Sequence, residues 1–378
     1  MRKVLILVNH DIVIYNFRKE LVERLIEDGY EVTISSPYGE RIDDLIKMGC
    51  KYTEATISRH GTNIIEEVKL INYYKKTIKS LKPDVVLSYT IKPNIYGGIA
   101  CKSMNIPYIA NITGLGTAVE NKGVLQKVSI LLYKLAFKKV NRIFFQNSEN
   151  MQFFINNNIM LDKHRLVPGS GVNLKQFSPL PYPHNSTVEF VFISRIMEEK
   201  GIDQYLEAAT YIREKHPNTR FHVCGFCEED YEEKLRKLEE KKVIIYHGMV
   251  RDVRKIIEKT HCTIHPTYYP EGLSNVLLES SACARPVITT NRSGCREVVD
   301  DGENGYLIEQ KNTNDLIAKI ELFLQVSNDE KKRMGIAGRK KVEEEFDRQI
   351  IIEAYIEELN KLDKLWKSKF QSERVEVS

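Results

Sequence analysis

The feature that most constrains the fold is an alternation of short apolar runs with amphipathic stretches, which occurs twice along the chain. In the first half, KVLILVN (3–9) precedes FRKELVERLIEDG, whose apolar residues recur at helical spacing before Gly29. Further strand-like runs follow, namely EVTISSP, DVVLSYT, PYIANIT and RIFFQNS. The pattern restarts at EFVFISR (189–195) and continues through RFHVCGF, VIIYHG, CTIHPT and PVITTN. Continuous apolar strands alternating with helices predict an α/β fold, with parallel sheets covered on both faces.

Between the two series lies PGSGVNLKQFSPLPYPHNST (168–187), which is rich in Pro, Gly, Ser and Asn and has no periodicity. A chain of 378 residues is too long for one ordinary core. We therefore predict a first domain over residues 1–178 and a second over residues 186–350. A last helical stretch within residues 351–378 is expected to cross back and pack on the first domain. Ligands of open parallel sheets bind beyond the carboxyl ends of strands, so a site is expected in the cleft between the domains.

Composition is that of a soluble globular chain, with 42% hydrophobic residues and no apolar run of about 18 residues. The start, MRKVLILVNHD, fits a buried first strand better than a signal peptide, because no small-residue cleavage site follows. We therefore expect a cytoplasmic protein. Seven scattered cysteines indicate reduced thiols. Cys224 and Cys227 form a C-x-x-C, but no second such pair completes a zinc site, which favours a strand end that turns at Gly225.

The net charge of +4 is unevenly distributed. Residues 1–170 hold 24 Lys and Arg against 16 Asp and Glu, which leaves 32 against 36 in the remainder. A basic half joined to an acidic half indicates that one half faces an anionic partner, either nucleic acid or an anionic membrane.

The stretch PEGLSNVLLES (270–280) places two carboxylates, Glu271 and Glu279, eight positions apart. If a helix begins near residue 272 or 273, Glu279 falls two turns along it and Glu271 lies in the preceding loop. Glu279 is then suited to a vicinal diol such as a ribose, and Glu271 to sugar hydroxyls. The alternative is an N-cap acid and a solvated helix-face acid. The N–H groups at such a helix start suit a phosphate; they belong to Gly272, Leu273, Ser274 and Asn275.

A second constellation, SRIMEEKGID (194–203), follows a strand directly. Arg195 and Lys200, with Gly201 at a strand-to-helix turn, suit a diphosphate, which arginine can bind in bidentate fashion. The alternative is that both are surface charges that balance Glu198 and Glu199.

Taken in order, residues 189–305 hold SRIMEEKG after a strand, a strand ending at Gly225, YHGMVRD, HPTYYPEGLSNVLLE, ACARPVITT and DGENGYLIE. This succession resembles the second domain of the retaining, GT-B-fold glycosyltransferases of family 4. Glu271 to Glu279 is similar to that family's E-x7-E signature, and PGSGVNLKQFSP is similar to its interdomain motif. The resemblance implies a GT-B fold: two Rossmann-like parallel-sheet domains that face a central cleft.

The resemblance also implies roles for the residues of the second domain. Arg195 and Lys200 would bind the diphosphate of a nucleotide-sugar donor, and Glu279 would hold the ribose hydroxyls. Glu271 would hold the donor sugar, with the backbone of residues 272–275 at the sugar and the distal phosphate. No cofactor and no essential metal is expected, because the cations and the helix start take the charge of the leaving nucleoside diphosphate. Retention by front-face attack would not require Glu271 as a base.

The first domain would bind the acceptor through the loops that follow its strands. These are NHDIVIYNFRK (9–19), ISRHGTN (57–63), YTIKPNIYGG (89–98) and NITGLGTA (111–118). The arrangement resembles bacterial enzymes that extend undecaprenyl-diphosphate-linked sugars for capsule, exopolysaccharide or protein glycosylation. Many family members have Gly-Gly where NHDIVIYN stands, and a later His where Asn111 and Thr113 stand. The acceptor-side candidates are Asn16, Arg59, Lys92 and Thr113, and solvated loop cations are the alternative for Arg59 and Lys92.

The segment GVLQKVSILLYKLAFKKVNRIFF (123–145) mixes large apolar residues with four lysines and an arginine. Such a basic amphipathic helix suits an anionic leaflet, which would place the protein peripherally on the inner face of the cell membrane. The alternative is a helix that covers the domain and has a solvated lysine face.

Three other functions compete with a glycosyltransferase. A GT-B nucleotide-sugar epimerase or a phosphorylase would turn over the sugar nucleotide without such an acceptor, or carry a pyridoxal lysine. A non-catalytic nucleotide-sugar-binding scaffold in a capsule assembly is the second, although the intact set Arg195, Lys200, Glu271 and Glu279 argues against a decayed site. Nucleic-acid binding has only the basic half in its favour, because no recognised module is present. The resemblance favours a UDP-sugar donor.

Overall fold

The computed structural model describes residues 2–57, 64–116, 119 and 123–375, and these divide into two compact units. The first unit comprises residues 1–170 together with 349–378, and the second comprises residues 171–348. Residues 171–187, within the stretch predicted as a linker, therefore belong to the second unit. Each unit is an α/β layer structure around its own parallel sheet.

The first sheet has seven parallel strands in the order β3-β2-β1-β4-β5-β6-β7. Successive residues of the central strand β1 alternate between two hydrophobic cores, Val4 and Ile6 facing one and Leu5 and Leu7 the other. The sheet is thus covered on both faces, as parallel sheets require. The strands are β1 (Arg2–Leu7), β2 (Tyr30–Ser36), β3 (Lys51–Glu54), β4 (Val85–Tyr89), β5 (Tyr108–Ile112), β6 (Arg142–Phe145) and β7 (His164–Leu166).

The helices of the first unit pack on both faces of its sheet. A π-helix, Pro93–Gly97, continues directly into α5, and 3₁₀ turns follow α6 and precede β7 at Phe137–Lys139 and Leu161–Lys163. The α-helices are α1 (Asp11–Phe17), α2 (Lys19–Glu27), α3 (Ile42–Lys47), α4 (Ile64–Leu81), α5 (Gly98–Met104), α6 (Val124–Ala136) and α7 (Ser148–Asn156).

Two segments expected to be acceptor loops are helical in the structure. Residues 9–19 contain α1, whose first turn is fixed because His10 caps it and the buried Asp11 accepts a hydrogen bond from the N–H of Arg41 (2.6 Å). In residues 89–98, Thr90 turns the chain at φ +70° and the π-helix begins at Pro93. Residues 91 and 92 are already helical, so Pro93 falls in the first turn, where a proline is tolerated because its missing N–H would have no intrahelical acceptor.

The second sheet has six parallel strands in the order β10-β9-β8-β11-β12-β13. Its strands are β8 (Val188–Ile193), β9 (Thr219–Cys224), β10 (Ile245–Tyr246), β11 (Cys262–His265), β12 (Val287–Thr290) and β13 (Gly305–Ile308). The α-helices are α8 (Ile202–Lys215), α9 (Glu232–Glu240), α10 (Arg254–Ile257), α11 (Asn275–Ala282), α12 (Thr313–Gln325) and α13 (Asn328–Glu345), with 3₁₀ turns at Glu198–Lys200 and Arg296–Val298.

The last helix, α14 (Arg348–Val375), begins at the end of the second unit and belongs almost entirely to the first. Its buried residues, among them Ile351, Ile352 and Tyr355, join the core that also contains Val4 and Ile6 of β1. The Tyr355 ring lies 4.6 Å from that of Phe144, and its hydroxyl accepts a hydrogen bond from Asn111 (2.7 Å). The first unit is therefore built from two segments that are distant in sequence.

Candidate active site

The topology of the second sheet selects one position for a ligand. Strand order reverses between the neighbouring strands β8 and β11, because the chain leaves β8 towards β9 and β10 and then crosses to β11 and β12. Such a reversal opens a crevice beyond the carboxyl ends of the two strands. Arg195 and Lys200 follow β8, and Tyr269 and Glu271 follow β11. The two predicted constellations thus lie side by side.

Lys200 and Glu271 form an ion pair across this crevice, between the ammonium Nζ and the carboxylate Oε1. The Lys200 side chain is 7% exposed and that of Glu271 is 18% exposed. Burial alone would raise the pKa of Glu271, but the positive charge of Lys200 reverses the effect and the pKa lies below its ordinary value. Glu271 is therefore a carboxylate at neutral pH and an acceptor of hydrogen bonds.

Gly201 fixes the position of Lys200. Its φ is +77°, and a Cβ at this position would lie 2.1 Å from the carbonyl oxygen of Pro266. A side chain is therefore excluded by both conformation and space. This close approach holds the turn after β8 against the end of β11, and the N–H of Tyr268 strengthens it by donating to the carbonyl of Glu199 (2.9 Å).

The ring of Tyr269 lies beside both cations. Lys200 Nζ is 4.5 Å from its centroid, and the guanidinium carbon of Arg195 is 5.4 Å from it. Both distances are in the range of cation–π attraction. Arg195 also pairs with Glu228 (2.9 Å). Burial lowers the pKa of Arg195, but the hydrogen bond to Glu228 outweighs it, so the pKa is raised and the charge is permanent.

The loop from Glu271 to Ser274 is clamped by the loop that follows β12. The N–H of Ser274 donates to the carbonyl of Gly294 (2.7 Å), so this one of the four predicted phosphate donors is already engaged. Gly294 has φ +91°, and a Cβ there would lie 2.9 Å from the Cβ of Glu271. Glu297 accepts from the N–H of Gly294 (2.8 Å) and from the hydroxyl of Ser293 (3.0 Å).

Helix α11 begins at Asn275, two or three residues later than the sequence predicts. Leu273 is the reason, because its side chain is buried in the core with Leu277 and Leu278 and draws the preceding loop inwards. Ser274 is the N-cap, and within the described residues its side chain accepts no hydrogen bond from the first turn. N–H groups at the start of the helix therefore remain uncapped by this side chain.

Glu279 lies on the second turn of α11 and is half-buried. Burial raises its pKa to about 7, and the charge of Arg348 opposes the rise without cancelling it. Among the described residues no donor hydrogen-bonds its carboxylate. A diol that donates two hydrogen bonds would suit this carboxylate, because it would compensate the desolvation.

Three residues of this site were not predicted, namely Tyr269, Gly294 and His265. Tyr269 and His265 stand in HPTYYPEG, between the strand-like run and Glu271, so their position along the chain was the available signal. Gly294 lies in NRSGC after another strand, and nothing local in the sequence indicates its contact with Glu271.

The acceptor-side residues predicted in the first unit lie on different elements. Lys92 pairs with Glu67 (2.7 Å) and lines a cavity of about 460 Å³, together with Glu54 and Tyr73. Thr113 is half-buried in the bend after β5, and Asn16 is exposed on α1. Arg59 and most of the segment 57–63 lie outside the described residues.

Helix α6 carries exposed apolar residues on its outer face. Val124, Val128, Leu131 and Leu135 are 79%, 46%, 58% and 44% exposed, at the spacing of one helical stripe. Tyr133 and Ala136 are buried on the opposite face. The exposed lysines of this segment are Lys127, Lys134, Lys138 and Lys139.

Two family models match the chain. "Glycosyl transferase 4-like" matches residues 3–147, and "Glycosyl transferases group 1" matches residues 182–341. The capsular polysaccharide biosynthesis glycosyltransferase CapM of Staphylococcus aureus is 30% identical over 318 residues, which cover 78% of this chain and 82% of CapM. The chain belongs to the group 1 glycosyltransferases.

A second relative of this glycosyltransferase is N,N'-diacetylbacillosaminyl-diphospho-undecaprenol alpha-1,3-N-acetylgalactosaminyltransferase of Campylobacter jejuni. It is 27% identical over 362 residues, which cover 91% of this chain and 94% of the relative.

Solved structures share the fold of the glycosyltransferase. A glycosyltransferase from Rickettsia africae has a TM-score of 0.80 at 19% identity, covering 96% of this chain and 99% of its own. Anabaena HepE, in complex with UDP and glucose, has a TM-score of 0.79 at 14% identity, covering 95% of this chain and all of its own. The two parallel-sheet units are thus those of the GT-B fold, as the sequence predicts.

Three further observations on the glycosyltransferase concern clusters that could hold a metal ion, helices that could span a membrane, and the thiol of Cys224. Within the described residues, no group of three or more His, Cys, Asp or Glu side chains is arranged to hold a metal ion. No helix of the described ranges has the length and apolarity needed to cross a bilayer. Cys224 is buried at the end of β9, and burial raises the pKa of its thiol to about 12.

Proposed function

We propose that this glycosyltransferase transfers a sugar, with retention of configuration, from a UDP-sugar to a saccharide linked to undecaprenyl diphosphate. The observation that carries the proposal is the cluster at the reversal of strand order, where Tyr269 adjoins the cations of Arg195 and Lys200 and the carboxylate of Glu271. Two cations beside an anionic acceptor of hydrogen bonds suit a diphosphate attached to a sugar.

The charges of the cluster fit the departure of a nucleoside diphosphate. Arg195, Lys200 and the start of α11 would stabilise the negative charge that develops on the leaving phosphate. These groups supply that stabilisation without a metal ion, so metal-independent transfer is part of the proposal. Glu279 would accept hydrogen bonds from the ribose, which would order the nucleotide along α11.

Glu271 would orient the donor sugar. Its lowered pKa makes it a poor carrier of a proton, which argues against a role as the base. In front-face attack, the acceptor oxygen bonds to the anomeric carbon of the sugar on the face from which the nucleoside diphosphate leaves. An oxygen of the donor phosphate takes the proton of the acceptor hydroxyl as the bond from the sugar to that phosphate breaks. The carboxylate would hold the sugar hydroxyls during this step.

The names of two similar proteins support the choice of substrates. The Campylobacter relative acts on a diphospho-undecaprenol-linked sugar, and CapM is named for capsular polysaccharide biosynthesis. The structure of HepE contains UDP. In the first unit, the cavity beside Lys92 offers carboxylates and a cation to the hydroxyls of the acceptor saccharide.

The transfer is proposed to take place at an anionic membrane surface, because a lipid-linked acceptor resides in a membrane. The apolar stripe of α6 would enter the headgroup region on the inner face of the cell membrane, and its lysines would meet anionic headgroups. Replacing Leu131 and Leu135 with Glu should release the protein from anionic liposomes at low salt. Leu322→Glu, on a leucine of α12 that is 41% exposed, is the control. If the wild type itself is not retained, membrane docking is wrong.

The substrate proposal is tested by a screen of UDP- and GDP-sugars with polyprenyl-diphosphate-sugar acceptors, with product followed by mass. Lys200→Ala and Glu271→Ala should each abolish transfer while the chain remains folded by circular dichroism. Lys234→Ala, which removes an exposed cation of α9, should retain activity. Full activity in both site variants would refute the assignment. Hydrolysis or epimerisation without an acceptor would favour an epimerase, and binding without turnover a scaffold.

A further inference from the structure

His265 is a buried polar residue for which the proposed function gives no role. It closes β11 and is 2% exposed, and among the described residues neither of its ring nitrogens has a hydrogen-bond partner. Buried polar groups are paired in the great majority of cases, so an imidazole with two unpaired nitrogens needs an explanation. Its position supplies one, because Nε2 lies 3.9 Å from Oε1 of Glu271. That distance is about 1 Å longer than a hydrogen bond.

The state of the ring suits a hydrogen bond to a carboxylate. Burial and, secondly, the nearby charge of Lys200 lower the pKa of His265 to about 3, so the ring is neutral at physiological pH. A neutral imidazole has one N–H donor and one acceptor nitrogen. With the donor on Nε2, His265 can serve Glu271 without adding a second positive charge beside Lys200.

In the structure Glu271 forms an ion pair with Lys200. The Lys200 ammonium contacts both the carboxylate and the face of Tyr269. A diphosphate bound in the same crevice competes for this ammonium, since it carries more negative charge than one carboxylate. Glu271, still half-enclosed by the loop of Gly294, would then lose its ion pair with Lys200 inside a poorly hydrated site.

We propose that His265 is a positioning residue: when the diphosphate of the donor binds Lys200, His265 donates a hydrogen bond to Glu271 and replaces Lys200 as its partner. Rotation of the Glu271 carboxylate closes the gap to Nε2, and one oxygen remains directed at the sugar. The inference rests on the proposed function, because it requires Lys200 to bind the diphosphate. It gives the buried imidazole a hydrogen-bonding role, and His265 would help to keep Glu271 ordered during transfer.

The test is a double-mutant cycle read by calorimetric binding of UDP, without turnover. His265→Leu keeps an apolar side chain of similar size and removes the donor, so it should weaken UDP binding about tenfold in the wild-type background. In the Glu271→Ala background there is no carboxylate to accept, and the same substitution should change UDP binding less than about twofold. His265→Gln, whose amide nitrogen reaches the place of Nε2, should restore binding, whereas the shorter His265→Asn should not.

The outcomes separate this inference from the proposed function. If neither UDP nor GDP binds the wild type, the proposed donor is wrong and this inference falls with it. If UDP binds and His265→Leu weakens it equally in both backgrounds, His265 has only a structural role. If His265→Leu has no effect in the wild-type background, the inference is likewise overturned. Should the leucine variant fail to fold, the comparison of His265→Gln with His265→Asn decides in the same way.

Discussion

At the scale of single residues, Tyr269 is the side chain that lies beside both cations of the candidate active site. Its ring adjoins both Arg195 and Lys200. We predict that Tyr269→Ala weakens binding of a UDP-sugar by about tenfold, because each cation–π contact in a partly desolvated site contributes about 0.5–2 kcal/mol. The measurement is calorimetric binding of the nucleotide-sugar to the folded variant.

Tyr269→Phe is the matched control, since it keeps the aromatic face and removes only the hydroxyl. Binding within about threefold of the wild type is expected for it. If the phenylalanine variant is as weak as the alanine variant, the hydroxyl rather than the ring carries the effect.

Glu279 makes the stability of the second unit depend on pH. Its pKa of about 7 in the folded chain exceeds the ordinary value of 4.5, so the folded state holds the proton more tightly. The stability contributed by this proton is fully present below pH 4.5 and is lost as pH rises through 7. Glu279→Gln should therefore raise Tm relative to the wild type more at pH 8 than at pH 5. An equal difference at both pH values would contradict the raised pKa.

The sequence could predict which charged residues lie together, because motifs place Arg195, Lys200 and Glu271 at strand ends and parallel strands end on one edge. It could not predict Tyr269 as their common neighbour, since HPTYYPEG offers two adjacent tyrosines with the same local pattern. The choice between them follows from how the turn at Gly201 packs on Pro266, which is a tertiary contact.

At the scale of elements, the loop after β12 packs against the loop that carries Glu271 and holds it in place. Gly294→Ala would combine a left-handed backbone with a contact to the Glu271 Cβ at 2.9 Å. We predict a loss of more than about 2 kcal/mol in unfolding free energy, together with weakened nucleotide-sugar binding. Chemical denaturation and calorimetry measure the two effects.

Gly302→Ala separates the strain of the backbone from the contact. Gly302 has φ +84°, but a Cβ there would have no neighbour within 4 Å. This variant should lose about 1–2 kcal/mol of stability and bind nucleotide-sugar normally. Equal losses in both variants would mean that the packing of Gly294 on Glu271 has no separate effect.

Strands within an apolar run were predictable from the sequence, and three of the four edge strands were not. All ten runs predicted as strands contain strands in the structure, for example KVLILVN and EFVFISR. No hydrophobic periodicity marks β3 and β7, which have three or four residues and exposed positions. The third, β13, is mostly buried, but it has only four residues and begins with a glycine. Helix α1, in a segment predicted as a loop, depends on a contact that is not local, because Asp11 in its first turn accepts a hydrogen bond from the N–H of Arg41.

At the scale of the whole molecule, α14 is part of the first unit's core although it follows the second unit in sequence. Tyr355→Ala should destabilise the first unit by about 3–5 kcal/mol, because it removes a buried ring packed on Phe144 and leaves Asn111 without its acceptor. Hydrogen exchange followed by mass should show faster exchange in residues 2–57 and 64–116, with residues 171–347 unchanged.

Ile350→Ala, at an exposed position on the same helix, should leave exchange in both units unchanged. Faster exchange in the second unit of Tyr355→Ala would contradict the division of the chain at residues 170 and 348. The helical pattern of this last segment was legible in the sequence, but the core that receives it depends on the assembled first sheet.

The split construction of the first unit has a consequence for biosynthesis. The second unit, residues 171–348, is continuous and can close as soon as it leaves the ribosome. The first unit must wait for α14, about 180 residues after its own last strand, which at typical elongation rates takes roughly 10–40 s. During that interval the face of the first sheet that α14 covers stands open, so the half of the protein made first is the half completed last.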